Sequence, residues 1–139
     1  MRLLLGLLLS LALSIVPVCA WAATDLTPTN ISIAGVADTV TAADVTGNTF
    51  VNTGYEYIEV INASGSSINV TLDAFPAGGQ GSPDGLAITD PVVAIAAGAR
   101  KRMGPFRKTT FGDSSAKVTV TYSAVTSVTV GVYRFSPQP

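Results

Sequence analysis

Residues 117–135 read KVTVTYSAVTSVTVGVYRF. Apolar residues recur at every second position: Val118, Val120 and Tyr122, then, after a break at 123–126, Val128, Val130 and Val132. A period of two belongs to a strand with one buried and one wet face, and β-branched Val and Thr suit that pleated surface. The short Ser-Ala-Val-Thr link predicts an antiparallel hairpin.

Residues 67–75 repeat the pattern, with Ile68, Val70, Leu72 and Ala74 expected inward and Asn69, Thr71 and Asp73 outward. Residues 55–62 differ, because Tyr57 and Ile61 fall on one face while Ile58 and Val60 fall on the other. A strand apolar on both sides is expected to be central. Residues 92–96 and 99–103 flank a tight turn at Ala97-Gly98, and 48–52 and 31–40 supply one or two further strands. The stretch PAGGQGSPDG at 76–85 and residues 104–113 read as loops. No window sustains a helical period with caps. About six to eight short strands predict an all-β fold: a single antiparallel β-sandwich of jelly-roll or immunoglobulin-like type.

The N-terminus has a different composition. Arg2 precedes an apolar run over 3–16, Pro17 ends it, and Ala20-Trp21-Ala22 offers the small residues of a cleavage site. The expected organisation is a signal helix over 1–22, an extended arm over 23–30 containing Pro28, and the sandwich over 31–139. An uncleaved anchor is the second reading; it reaches the ~20 apolar residues of a spanning helix only by counting through Pro17 and Cys19. Lipidation at Cys19 is a weaker reading still, since Val18 stands where that processing wants a small residue. The exported domain is expected to touch no membrane after cleavage. It lacks any cysteine for a disulfide, and its seven Lys and Arg face nine Asp and Glu.

The chain has no histidine. With Cys19 confined to the leader, Ser-His-Asp and Cys-His systems and the usual zinc, copper and haem ligands are excluded. Glu56 and Glu59, three apart on a strand, face opposite sides and cannot converge on one bond. Asp73 and Asp84 read as turn and edge acids rather than a calcium loop. Ser114-Ser115-Ala116-Lys117 has the Ser-x-x-Lys spacing of penicillin-recognising enzymes but leads into a strand where that chemistry needs a helix start. Asn30, Asn62 and Asn69 open N-glycosylation sequons. We expect no catalytic residue, cofactor or metal.

Five of the positive charges, Arg100, Lys101, Arg102, Arg107 and Lys108, fall within nine residues. Two readings stay open: a contact patch for an acidic glycan, polymer or neighbouring subunit, and a charged edge strand that discourages aggregation. Nucleic acid is not an expected partner of this acidic domain with its few interleaved aromatics, Phe106 and Phe111. Tyr55, Tyr57 and Tyr133 are candidate stacking residues for a glycan.

The run over 92–106, with Ala-Gly-Ala-Arg and Met-Gly-Pro-Phe, and the ending Val118-Thr-Val-Thr-Tyr-Ser-Ala-Val-Thr-Ser-Val-Thr-Val resemble small β-sandwich structural proteins of tailed bacteriophages and prophages. Ala42-Ala43-Asp44, Gly47-Asn48-Thr49-Phe50 and Val60-Ile61-Asn62-Ala63-Ser64-Gly65 resemble the same group. The resemblance covers most of 31–135 and implies head decoration or fibre components without catalytic residues. The export signal and the basic run set this chain apart from that group. The expected function is a non-enzymatic surface subunit, virion-like or of a cell envelope, that self-associates or docks on a larger shell. The alternative is a secreted glycan-binding module or adhesin.

Overall fold

A computed structural model describes residues 22–74 and 89–135. The expected leader, apart from Ala22, and the loop 76–85 with Asp84 lie outside the described residues. Ten strands follow in chain order: β1 (Thr24–Leu26), β2 (Thr29–Ile31), β3 (Thr41–Ala42), β4 (Asn48–Val51), β5 (Glu56–Asn62), β6 (Ile68–Leu72), β7 (Val92–Ile95), β8 (Arg100–Met103), β9 (Lys117–Tyr122) and β10 (Val128–Phe135). The described residues contain no helix. One sheet runs β1-β4-β9-β6-β7, the other β2-β10-β5-β8, with β3 also on β10.

The sheets are mixed, which corrects the expectation of a purely antiparallel fold. β1 lies parallel to β4, and β2 parallel to β10. The cause is the N-terminal segment, expected to be an arm and instead paired with both sheets. Pro28 cannot donate to a ladder, so the segment divides into two three-residue strands, one for each sheet. The long connections from β1 to β4 and from β2 to β10 permit the parallel pairing. Residues 32–40, read as strand, belong to no strand.

The expected hairpin of β9 and β10 is also corrected. β9 pairs with β4 and β6, β10 with β5, β2 and β3, so residues 123–127 carry the chain from one sheet to the other. Val128 N–H bonds the Val125 carbonyl at 3.1 Å there, and Ser127 adopts a φ of 58°. A hairpin would turn these valines inward as well; the pairing of β9 with β4 and of β10 with β5 selects the crossing, and Val118 and Val120 then face Val128, Val130 and Val132 from opposite sheets around one core. The turn at Ala97-Gly98 exists, closed by Ala99 N–H on the Ala96 carbonyl at 3.1 Å, and it too joins strands of different sheets.

A third crossing, from β4 to β5, braces the one from β9 to β10, because β4 pairs with β9 in one sheet while the strands that follow them, β5 and β10, pair in the other. The core between them is one cluster that includes Phe50, Val70, Val118 and Val120 from the first sheet and Ile58, Val60, Val130 and Val132 from the second. The inward parity expected for 68–74 and for 128–132 is observed, with Tyr122 half-buried. β5 is interior to its sheet, between β10 and β8, as its two apolar faces predict. Phe106 is buried as well, its ring centroid 5.5 Å from both Phe50 and Phe111, so the two aromatics interleaved with the basic run serve the core.

Candidate functional site

The outer face of the second sheet carries the most developed surface. Its side chains are the residues of β5 and β10 that the alternation turns away from the core: Tyr57, Glu59 and Ile61, then Thr129, Gly131, Tyr133 and Phe135. Tyr57 and Tyr133 sit opposite each other in the ladder and stack, with centroids 5.4 Å apart and planes 21° apart. Phe135 continues the row, 5.3 Å from Tyr57.

A groove of about 490 Å³ opens beside this row, walled by Tyr55, Tyr57, Arg102, Met103, Pro105 and Phe135. Its floor depends on Gly104: with φ at 130°, a Cβ there would stand 2.8 Å from the Glu56 carbonyl and 2.9 Å from Tyr57 Cα. Tyr55 and Phe135 are 51 % and 58 % exposed at its mouth, whereas Tyr133 is buried. Of the three candidate stacking residues, Tyr55 and Tyr57 therefore line the groove, and Tyr133 supports Tyr57 from behind.

The five basic residues do not share one face. Arg100 and Arg102 reach from β8 onto this outer face, where both meet Glu59 Oε1, at 3.4 and 2.9 Å. Lys101 lies between them in sequence, opposite Val60 of the inner face, and is exposed because β8 ends the sheet. An inward-pointing charge on an edge strand discourages pairing with a second sheet. Arg107 and Lys108 stand on the turn after Phe106, closed by Thr110 and Phe111 N–H on the Arg107 carbonyl. The stem of Lys108 passes close to Gly54 at the groove, 3.5 Å from where a Cβ would stand.

Two buried carboxylates support the face, and the spacing of apolar residues did not signal their burial. Glu59 is enclosed on the outer side, its Oε2 without a partner among the described residues. Glu56 is enclosed at the opposite parity. It accepts from Thr53 N–H at 2.6 Å, Thr53 hydroxyl at 2.7 Å, Gly54 N–H at 3.1 Å, Tyr55 N–H at 3.2 Å and Arg134 Nε at 2.5 Å. Their opposite placement is what the three-residue spacing predicts. Burial alone pushes the Glu56 carboxyl up, but the Thr53 and Arg134 bonds outweigh it and hold it below its ordinary value.

The sign of the consequence follows from linkage. A carboxyl depressed in the folded state adds stability that is present above its unfolded pKa, about 4.3, and lost as pH falls through the lower folded value. We expect the melting temperature to fall steeply below about pH 4. Glu56→Gln should blunt that acid limb while costing about 2–3 kcal/mol at neutral pH, less than a fully sealed pair because Arg134 retains access to water. Thermal melts from pH 7 to pH 2.5 on parent and variant check this; an unchanged acid limb counts against the Glu56 assignment.

The remaining candidates have structural settings. Asp73 is pushed up by partial burial and then by the negative Asp90 and Asp113, while Asp90 accepts the Ala74 N–H at 3.0 Å. Among the described residues no three His, Cys, Asp or Glu gather to hold a metal. Ser114 and Ser115 lie in a turn capped by Asp113, and Lys117 pairs with Asp25. Comparison with family models, with curated proteins and with solved structures finds no match to this chain.

Proposed function

We propose that this chain is a non-enzymatic structural subunit of a surface, virion-like or of a cell envelope, exported by its N-terminal leader and acting by self-association. Its two sheets are read as a β-sandwich, an arrangement supported by the braced crossings around one shared core. The observation that carries the functional reading is the makeup of the groove. Tyr55, Tyr57, Phe135, Met103 and Arg102 are the residue types that enrich the centre of protein interfaces, and here they surround an open apolar recess with one charged side chain. Rigid aromatic walls fixed by Gly104 and the Tyr57–Tyr133 stack add little ordering cost on docking.

Sedimentation velocity over a range of concentrations tests this reading. The parent should associate as concentration rises. Tyr55→Asp, at a half-exposed position, should leave the melt within about 0.5 kcal/mol of the parent and weaken association by about tenfold or more, as loss of an aromatic anchor does. A parent that stays monomeric throughout sinks the reading. One observation favours the alternative of a glycan-binding module: Tyr55 and Tyr57 form an aromatic surface beside Arg102, suited to an acidic sugar. A glycan-array signal lost in Tyr55→Ser, with a monomeric parent, would carry that alternative instead.

A further inference from the structure

The loop over 32–40 bears directly on what fills the groove. Residues 32–35 close a tight turn: Gly35 N–H bonds the Ser32 carbonyl at 3.0 Å, Ser32 hydroxyl bonds the Gly35 carbonyl at 3.2 Å, and Gly35 has a φ of 84°. Turn tips are ordinarily polar or Gly, yet this one presents Ile33 with its side chain fully exposed, followed by the exposed Val36. A lone exposed apolar residue means little. This one belongs to a turn closed by its own hydrogen bonds, in a loop held on a support at Thr39.

The support is the outer face of the second sheet. Thr39 N–H bonds the Tyr133 hydroxyl at 3.2 Å, and the Thr29 and Thr39 hydroxyls are 2.6 Å apart. Gly131 lets the loop lie down, since a Cβ there would meet the Thr39 carbonyl at 2.9 Å. The same Tyr133 stacks on Tyr57 in the groove wall. The loop that carries this apolar knob thus begins at Ile31, beside Phe135 of the groove wall, and returns to the outer face at Thr39, while Ile33 remains fully exposed rather than filling its own groove.

We propose that the occupant of the groove is the 32–38 turn of a second copy of this chain, exchanged reciprocally about a two-fold axis. The inference rests on the reading of the chain as a self-associating subunit and names the contact. Features that neighbour each other in one molecule are matched by a two-fold axis, which sets each knob over the other copy's groove. Charge agrees with the match. Asp38 is the only charged residue of the loop, and the groove carries Arg102 in its wall and the Lys108 stem beside Gly54. Lys108 makes no ion pair among the described residues, whereas Arg102 is shared with Glu59. The loop is already anchored, so docking it orders few new torsions.

The test uses the full chain carrying Cys19→Ser. Ile33→Cys and Tyr55→Cys are made in separate chains, one isotopically heavy, then mixed and oxidised. The mixed disulfide is expected to exceed either like-with-like product by about tenfold, through the effective concentration the contact provides. Ile33→Asp should move sedimentation toward the monomer without changing the melt. Asp38→Lys should weaken association, and adding Lys108→Asp should restore it. A mixed product no more than the twofold statistical excess over either like-with-like product, or Ile33→Asp associating like the parent, would overturn the loop-in-groove contact. If Tyr55→Asp still dissociates that assembly, the structural-subunit reading stands without it. A parent that never associates removes both.

Discussion

Val130→Asp is expected to abolish cooperative folding at 25 °C. Val130 is completely buried, with β5 on one side of it, where it pairs with Val60, and β3 on the other, where it pairs with Thr41. Among the described residues no basic side chain lies in the cluster it belongs to. A carboxylate there must stay unpaired or take up a proton, and either way costs at least several kcal/mol against the ~5–15 that hold a domain together. Val70→Asp, equally buried in the first sheet, should do the same. The control is Thr129→Asp, one residue along on the outer parity, which should melt within about 1 kcal/mol of the parent. Far-ultraviolet circular dichroism and thermal melts separate the cases. A tolerated Val130→Asp beside an unfolded Thr129→Asp would mean a one-residue register slip, which turns every side chain of β10 to the other face.

The longer strands and the inward parity of 68–74 and 128–132 were legible because a period of two is a local property that any one-sided sheet imposes, whereas 32–40, read as strand, forms none. Which strands neighbour one another was not legible. The link at 123–127 serves equally for a hairpin and for a crossing, since both leave Val118, Val120, Val128 and Val130 facing a core. Only the partners β4 and β5 decide, and they lie more than fifty residues away. The same blindness made 23–30 look like an arm, because three-residue strands around Pro28 bury too little to register as a pattern. At the groove, Tyr55, Tyr57 and Tyr133 were stacking candidates by residue type alone, and Met103, Pro105 and Phe135 join the first two only through the pairing of β5 with β8 and β10. The five basic residues were close in sequence and so invited one patch. Alternation along β8 separates Lys101 from Arg100 and Arg102, and Glu59, unremarkable as a letter in a strand, draws the two arginines to it.

Asn62 shows what a sequon can conceal. Its amide is completely buried at the end of β5, where Nδ2 donates toward the carbonyls of Ser66, Ile95 and Ala96 at 2.8, 3.1 and 3.1 Å. Oδ1 accepts from Ser64 N–H at 3.1 Å and Ser64 hydroxyl at 2.6 Å. One side chain therefore ties the β5–β6 turn to the crossing between β7 and β8, the crossing that also delivers Arg100 and Arg102 to the outer face. Each such bond is worth about 1 kcal/mol net, and each buried group left unpaired costs about 1–3, so Asn62→Leu should lower stability by about 3–5 kcal/mol. Asn62→Asp is the sharper test, because it keeps the shape and removes only the donor. A carboxylate would then face three carbonyl oxygens, and the loss should equal or exceed that of Asn62→Leu. Urea denaturation measures it, and hydrogen exchange at 63–67 and 96–99 should report local opening before global unfolding. Asn62→Asp with the parent's midpoint would contradict the network. In a glycosylating host the exposed Asn30 and Asn69 should carry glycan, and folded protein should carry none at Asn62, whose amide has no path to an enzyme once its bonds are made.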